Sequence, residues 1–127
     1  MKKTLIAMLA VLAICVLTCL WSLLTLRQAC LSADEARLRV LERYETGDFS
    51  GAREELSGLA AQWNRKKRLL EAISPHEGLH EMTVRLIEAD AALRAGDLDD
   101  FEIAMALMGE TLRHICEEER LTLENLF

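Results

Sequence analysis

Residues 44–63 read YETGDFSGAREELSGLAAQW, and this stretch decides the fold. Gly47 can take the left-handed conformation that ends one helix, and Asp48 beside it can cap the start of the next. Beyond the cap, Phe49, Ala52, Leu56, Leu59 and Trp63 recur on alternating steps of three and four, the spacing of one buried helix face. One helix therefore ends near residue 46 and a second starts at 49. The seam of the second continues through Leu70 and Ile73 and is interrupted only at Lys66.

The same punctuation returns further along. Ala95-Gly96-Asp97 repeats the tight helix-turn-helix. At Ile73-Ser74-Pro75-His76-Glu77 a third junction has Ser74 as N-cap, Pro75 at the first helical position and Glu77 completing a capping box. The expected helices are 28–46, 49–73, 75–95 and 98–117. The third carries Leu79, Met82, Leu86, Ala89 and Leu93, the fourth Leu98, Phe101, Met105, Met108, Leu112 and Ile115, and the first the sparser set Leu31, Leu38, Leu41 and Tyr44. Seams near 3.5-residue spacing predict helices packed about 20° from antiparallel. Short turns between them impose an up-down-up-down four-helix bundle. Composition agrees with an all-α protein, since the chain is half hydrophobic, has a single proline and is rich in strong helix formers. The closing Leu121-Thr122-Leu123-Glu124-Asn125-Leu126-Phe127 is apolar for a free end and is expected to fold back on the bundle.

Upstream of the bundle, residues 5–26, from Leu5 to Leu26, form a run of 22 residues without a charge. As a helix it would cover roughly 33 Å, enough for a hydrocarbon core of about 30 Å. Lys2 and Lys3 precede the run, Arg27 closes it, and Trp21 stands near its far end, where an amphipathic ring prefers the headgroup level. A cleaved signal peptide has an apolar region of only about 7–15 residues. Arg27-Gln28-Ala29-Cys30 also lacks the apolar residue that a lipoprotein signal places three before its cysteine. The expected organisation is a retained single-pass anchor over 1–27 and a bundle domain over 28–127. The lysine-led start favours the amino terminus in the cytoplasm and the bundle outside the plasma membrane, although Arg27, Arg37, Arg39 and Arg43 after the span partly offset that bias.

Charge narrows the partners. Beyond Arg27 the chain has 12 Lys and Arg against 21 Asp and Glu, a balance that repels phosphate backbones and argues against nucleic acid. The basic run Arg65-Lys66-Lys67-Arg68 is read as a solvated helix face that could also touch anionic lipid. Two constellations invite chemistry. His76-Glu77-Gly78-Leu79-His80 spells the zinc-protease signature, two metal ligands one turn apart with a glutamate between them, but it comes without strands to hold a substrate, and the capping box already accounts for Glu77. In an up-down-up-down order Cys30, His76, His80, His114 and Cys116 all fall at the end nearest the membrane. There His76, His80, His114 and Cys116 could converge on a zinc ion, and Cys30 could pair with Cys116 in an oxidising compartment. Cys15 and Cys19 lie within the span as ordinary packing residues. No cofactor is needed otherwise, and no phosphate loop or nucleophile elbow is present. The expectation is a non-enzymatic accessory protein of the cell envelope whose partners are the lipid bilayer and another membrane or envelope protein, with self-association as a further option. The alternative is a zinc-binding protein or zinc-dependent enzyme built on His76 and His80.

Several features together resemble a family of small single-pass bacterial membrane proteins defined only as a domain of unknown function, mainly from spore-forming lineages. They are the lysine-led anchor, Gly47-Asp48-Phe49 followed by Ala52, Trp63 with basic residues after it, His76 thirteen residues beyond Trp63, and the closing Leu123-Glu124-Asn125-Leu126-Phe127. The resemblance implies a single span and a helical extracytoplasmic domain, and it supplies no activity. Leu79-His80 stands where members carry a carboxylate pattern. Tyr44, Gly47-Asp48-Phe49 and Ala52 also echo tetratricopeptide repeats, but the two Gly-Asp turns are 49 residues apart against a repeat of about 34.

Overall fold

Both Gly-Asp pairs form the turns their residues predict. Gly47 has φ +83° and Gly96 φ +74°, a region where a Cβ costs roughly 1–2 kcal/mol. At the first turn the Gly47 N–H donates to the Tyr44 carbonyl (3.1 Å) and the Asp48 N–H to the Arg43 carbonyl (2.9 Å). At the second, the Gly96 N–H reaches Leu93 (3.3 Å) and the Asp97 N–H reaches Ala92 (2.9 Å). This is the paired-bond C-terminal motif that satisfies carbonyls left over at a helix end. Each aspartate then opens the following helix. The Asp48 carboxylate accepts the Gly51 N–H at 2.9 Å, and that of Asp97 accepts the Asp100 N–H at 3.3 Å. A Cβ on Gly51 would collide with the Asp48 carboxylate, so glycine there leaves the cap its room.

The helices so delimited are α1 Lys2–Glu45, α2 Phe49–Ile73, α3 Glu77–Ala95 and α4 Leu98–Leu126. The computed structural model describes residues 1–73 and 77–126, the side chains of Ile73, Glu119, Thr122, Leu123 and Leu126 excepted. Ser74, Pro75 and His76 therefore lie outside the described residues. α1 is a single unbroken helix of 44 residues, so the apolar segment and the first bundle helix share one axis. Each helix packs on two neighbours, α1 on α2 and α4, α3 on α2 and α4, with no diagonal contact among the described residues. The chain is an up-down-up-down four-helix bundle with a long apolar extension of α1.

The seams of α2, α3 and α4 bury Leu56, Trp63, Leu70, Leu79, Met82, Phe101, Met105, Met108 and Ile115 almost completely. Trp63 is 2 % exposed. Its Nε1 donates to the Thr83 hydroxyl at 3.3 Å, which in turn donates to the Leu79 carbonyl at 3.2 Å, so the one polar atom of the ring is satisfied inside the core. At the opposite end Tyr44 packs against Phe49 and Phe101 with centroids 5.5 Å and 4.8 Å away, and its hydroxyl donates to Glu102 at 2.9 Å.

Four expectations need correction. α1 does not use Leu31 and Leu38, which are 53 % and 52 % exposed. It buries Leu26, Ala29, Cys30, Ala33, Ala36 and Val40, a face of small residues that lets its neighbours approach closely, with Leu41 and Tyr44 at its margin. Phe49 and Leu98 sit at the first positions of their helices and remain exposed, because the first turn projects beyond the packed layer. Lys66 is exposed and does not interrupt a seam. At 3.6 residues per turn the face passes from Trp63 to Leu70 by way of Lys67, whose side chain is only 26 % exposed and reaches Glu71 at 3.7 Å. Finally, the tail continues α4 to Leu126 without reversing, supported by pairs of opposite charge one turn apart such as Arg113–Glu117 and Arg120–Glu124.

Two outcomes follow. Trp63→Ala should cost about 3–5 kcal/mol, read as a lower denaturation midpoint by circular dichroism of the full chain in detergent; no change would remove Trp63 from the core. Asp48 is held below the usual carboxylate range by the Gly51 N–H first and by Arg43 second. A depressed folded-state value means that the cap stabilises above the ordinary aspartate pKa of about 3.9 and is lost as pH falls below it. Asp48→Ala should therefore lower the melting temperature at neutral pH, and the gap from the parent should narrow on acidification below about pH 4. A gap independent of pH would contradict the cap.

Candidate functional site

Of the residues singled out for metal chemistry, the described ones, His80, His114 and Cys116, are not gathered into a metal-binding group. His76 lies outside the described residues. His80 is exposed on α3. His114 is exposed on α4, its Nε2 lying 2.9 Å from Glu118 Oε1 on the same helix. Cys116, two residues on, turns inward, since a two-residue step rotates a helix by about 200°. Among the described residues no three His, Cys, Asp or Glu side chains converge where a metal ion could sit. Cys30, 1 % exposed, and Cys116 do share a location: both line a groove of about 420 Å³ between α1 and α4.

That groove depends on a close approach with no obvious sequence signal. Arg37 lies over Gly109, where a Cβ would come within 2.8 Å of the guanidinium carbon. Arg37 Nε also donates to Asp34 Oδ1 at 2.8 Å. Glycine at 109 thus lets a long charged side chain lie flat between two helices, its stem packed and its head paired.

A second groove of about 460 Å³ runs between α1 and α2 over Ala36 and Leu59. Its walls are charged. Arg39 approaches Glu55 at 3.6 Å, and Arg43 reaches Glu55 at 3.5 Å and Asp48 at 3.0 Å. The hydrogen bond to Asp48 is the main cause that raises the Arg43 pKa above its ordinary value. These pairs are largely solvent-exposed and worth little individually, and they engage Arg39 and Arg43 with carboxylates of the same groove. Elsewhere the perturbed groups lie at two helix ends and on the exposed middle of α4. Tyr44 is pushed up by burial and then by its bond to Glu102, Asp100 is pushed up by its hydrogen bond with Asp97, and Arg113 is raised by Glu110. None of these groups has a nucleophile beside it among the described residues.

The lower end of the bundle is different. Contacts along α1 and α2 give their register: Arg39 meets Glu55, and Ala36 shares a groove wall with Leu59 and Gln62. Continued antiparallel, that register sets residues 65–68 of α2 level with about residues 27–33 of α1. Of the 12 Lys and Arg beyond Arg27, only Arg53, Arg65, Lys66 and Arg68 have no carboxylate partner among the described residues. Three of those four stand together there, all exposed. α4 is placed in the same way. Tyr44 meets Glu102 and Arg37 lies over Gly109, so the end of α4 at Leu126 comes level with about residue 20 of α1.

The packed part of α1 begins at the same height, with Leu20 and Leu23 half-buried and Leu26 buried, whereas residues 2–19 are exposed and have no packing partner among the described residues. No curated protein and no solved structure matches the chain significantly. A family model does match residues 20–126, beginning where the packing begins, and the chain accordingly belongs to the family described as a domain of unknown function, DUF4363.

Proposed function

We propose that this chain is a single-pass, non-enzymatic membrane protein whose bundle serves as an accessory to another membrane or envelope protein, with the amino terminus in the cytoplasm and the bundle outside the plasma membrane. One observation carries the proposal. α1 is a continuous helix that is exposed over residues 2–19 among the described residues and packed on one face beyond residue 26, and its apolar part is long enough to cross a bilayer.

The outward face of that helix indicates the kind of partner. Leu17, Leu24, Leu31 and Leu38 follow one another at seven-residue intervals and are 65 %, 61 %, 53 % and 52 % exposed. Lipid would cover the first two. The row runs on into the bundle, where water would meet Leu31 and Leu38, and the heptad interval is that of a helix-helix seam. A helix packed along the whole row would have to leave the bilayer beside α1, which means a second membrane-anchored chain, another protein or another copy of this one.

Two measurements test the proposal. The protein should stay with the membrane through an alkaline wash and be released by detergent; release by the wash would end the anchored assignment. In mild detergent it should migrate as an assembly larger than one chain, and Leu31→Glu with Leu38→Glu should reduce it to single chains without loss of helicity, since both side chains are exposed. An assembly that survives the double change would place the partner elsewhere.

A further inference from the structure

We infer that the lower end of α2 is a binding surface for anionic lipid headgroups, with Arg65, Lys66 and Arg68 as its ligating cations. The inference rests on the anchored topology proposed above and adds the depth and chemistry of a second membrane contact.

Depth comes first. A hydrocarbon core of about 30 Å takes up about 20 helical residues, and counted from Leu5 that reaches residue 24. The headgroup layer adds about 5–7 Å, four or so residues more. Residues 65–68 of α2, level with about residues 27–33 of α1, therefore stand at the headgroup layer or just above it, within reach of flexible Lys and Arg side chains. The unpacked part of the span points the same way. Residues 5–19 cover only about 22 Å of a core of about 30 Å, so unless the bilayer thins, the lower rim of the bundle passes through the interface to the edge of the hydrocarbon.

Composition and charge agree with that depth. Trp21 is exposed and lies 18 residues below Arg39, five whole turns, hence on the side of α1 that faces α2. Its ring thus sits beneath the basic run, near the outer edge of the hydrocarbon core. Leu69, next to the run, is also exposed, offering an apolar contact beside the charges. Arg27 adds a cation on α1 at the same level. Within the run, Lys67 is engaged by Glu71, while the other three have no carboxylate among the described residues. On α4, Glu117 lies beside Arg113, Glu118 beside His114 and Glu124 beside Arg120, each within the helix. The side of the bundle formed by α1 and α2 is thus locally cationic in a domain that is acidic overall. A basic side chain near an anionic membrane surface is attracted to it, and the attraction is screened by salt.

The test uses the full chain reconstituted into vesicles of phosphatidylcholine alone and of phosphatidylcholine with phosphatidylglycerol. Amide hydrogen exchange over residues 64–72 should be several-fold slower in the anionic vesicles at low salt. High salt should abolish the difference, and residues 98–112 of α4 should not show it. The triple change Arg65→Glu, Lys66→Glu and Arg68→Glu should remove the difference while helicity and melting temperature in detergent stay unchanged. If charge reversal impairs folding, the triple glutamine variant provides the same comparison. Equal exchange in the two vesicle types, or slowing that persists in the variants, would overturn the lipid contact while leaving the anchor intact. A chain washed off both vesicle types by alkali would instead overturn the anchor, and the lipid contact with it.

Discussion

The structure depends on α1 being one helix without a break. No glycine or proline interrupts residues 2–45, and the residues on both sides of Arg27 favour helix, so nothing permits a hinge between the apolar segment and the bundle. A jointed anchor would let the domain tilt and turn freely. A continuous helix instead passes its axis and rotational setting to everything packed on it. α2 is then held in register through Glu55 with Arg39 and Arg43, and α4 through Tyr44 with Glu102 and Arg37 over Gly109. Given the proposed topology, the heights of all four helices follow from that single element.

The stability of the arrangement lies in packing and backbone caps more than in its many ion pairs. Most of the pairs join residues three or four apart on one helix, where an exposed pair is worth about 0.3–0.5 kcal/mol. The small-residue face of α1, by contrast, admits close neighbours along Ala29, Ala33 and Ala36, and the core of Trp63, Phe101 and three methionines fills in behind it. The two turns show how backbone and charge separate. Their hydrogen bonds match one for one, yet Asp48 has Arg43 beside it whereas Asp97 has Asp100, which is pushed toward its protonated form. The fold requires the cap; the neighbour decides how the cap responds to pH.

Much of this was legible in the residues, for identifiable reasons. Glycine followed by aspartate has a conformational meaning of its own, so both turns were fixed without tertiary information. The seams of α2, α3 and α4 consist of large apolar side chains on a regular period, so their buried faces followed as well, apart from the one-residue ambiguity at Lys66 and Lys67. The face of α1 was not legible. Along the bundle its buried side is mostly small, Ala29, Cys30, Ala33 and Ala36, while Leu31 and Leu38 are exposed, and hydrophobicity alone ranks them the wrong way round. The signal that could have found it is the spacing of small residues at 29, 33 and 36. The candidate site depended still more on tertiary detail. A pair of histidines one turn apart can be read from one helix, but whether ligands converge from different helices depends on rotations that no spacing encodes. The position of Arg37 over Gly109 is of the same kind.

The two proposed contacts can coexist because of where they lie around α1. Leu38 and Arg39 are neighbours in sequence and so about 100° apart around the helix. The leucine row stands on the Leu38 side, facing away from the bundle, while Trp21 and the α2 packing stand on the Arg39 side. Lipid engaged by Arg65, Lys66 and Arg68 therefore leaves the leucine row open to a partner, and a partner on that row leaves the basic run free to stay on the membrane. Held at one depth and one rotation by the headgroups, the row would meet another membrane helix from a restricted set of orientations, so less rotational freedom remains to be lost on association. In a protein built this way, the placement of surfaces at a fixed height above the bilayer would do what an active site does in an enzyme.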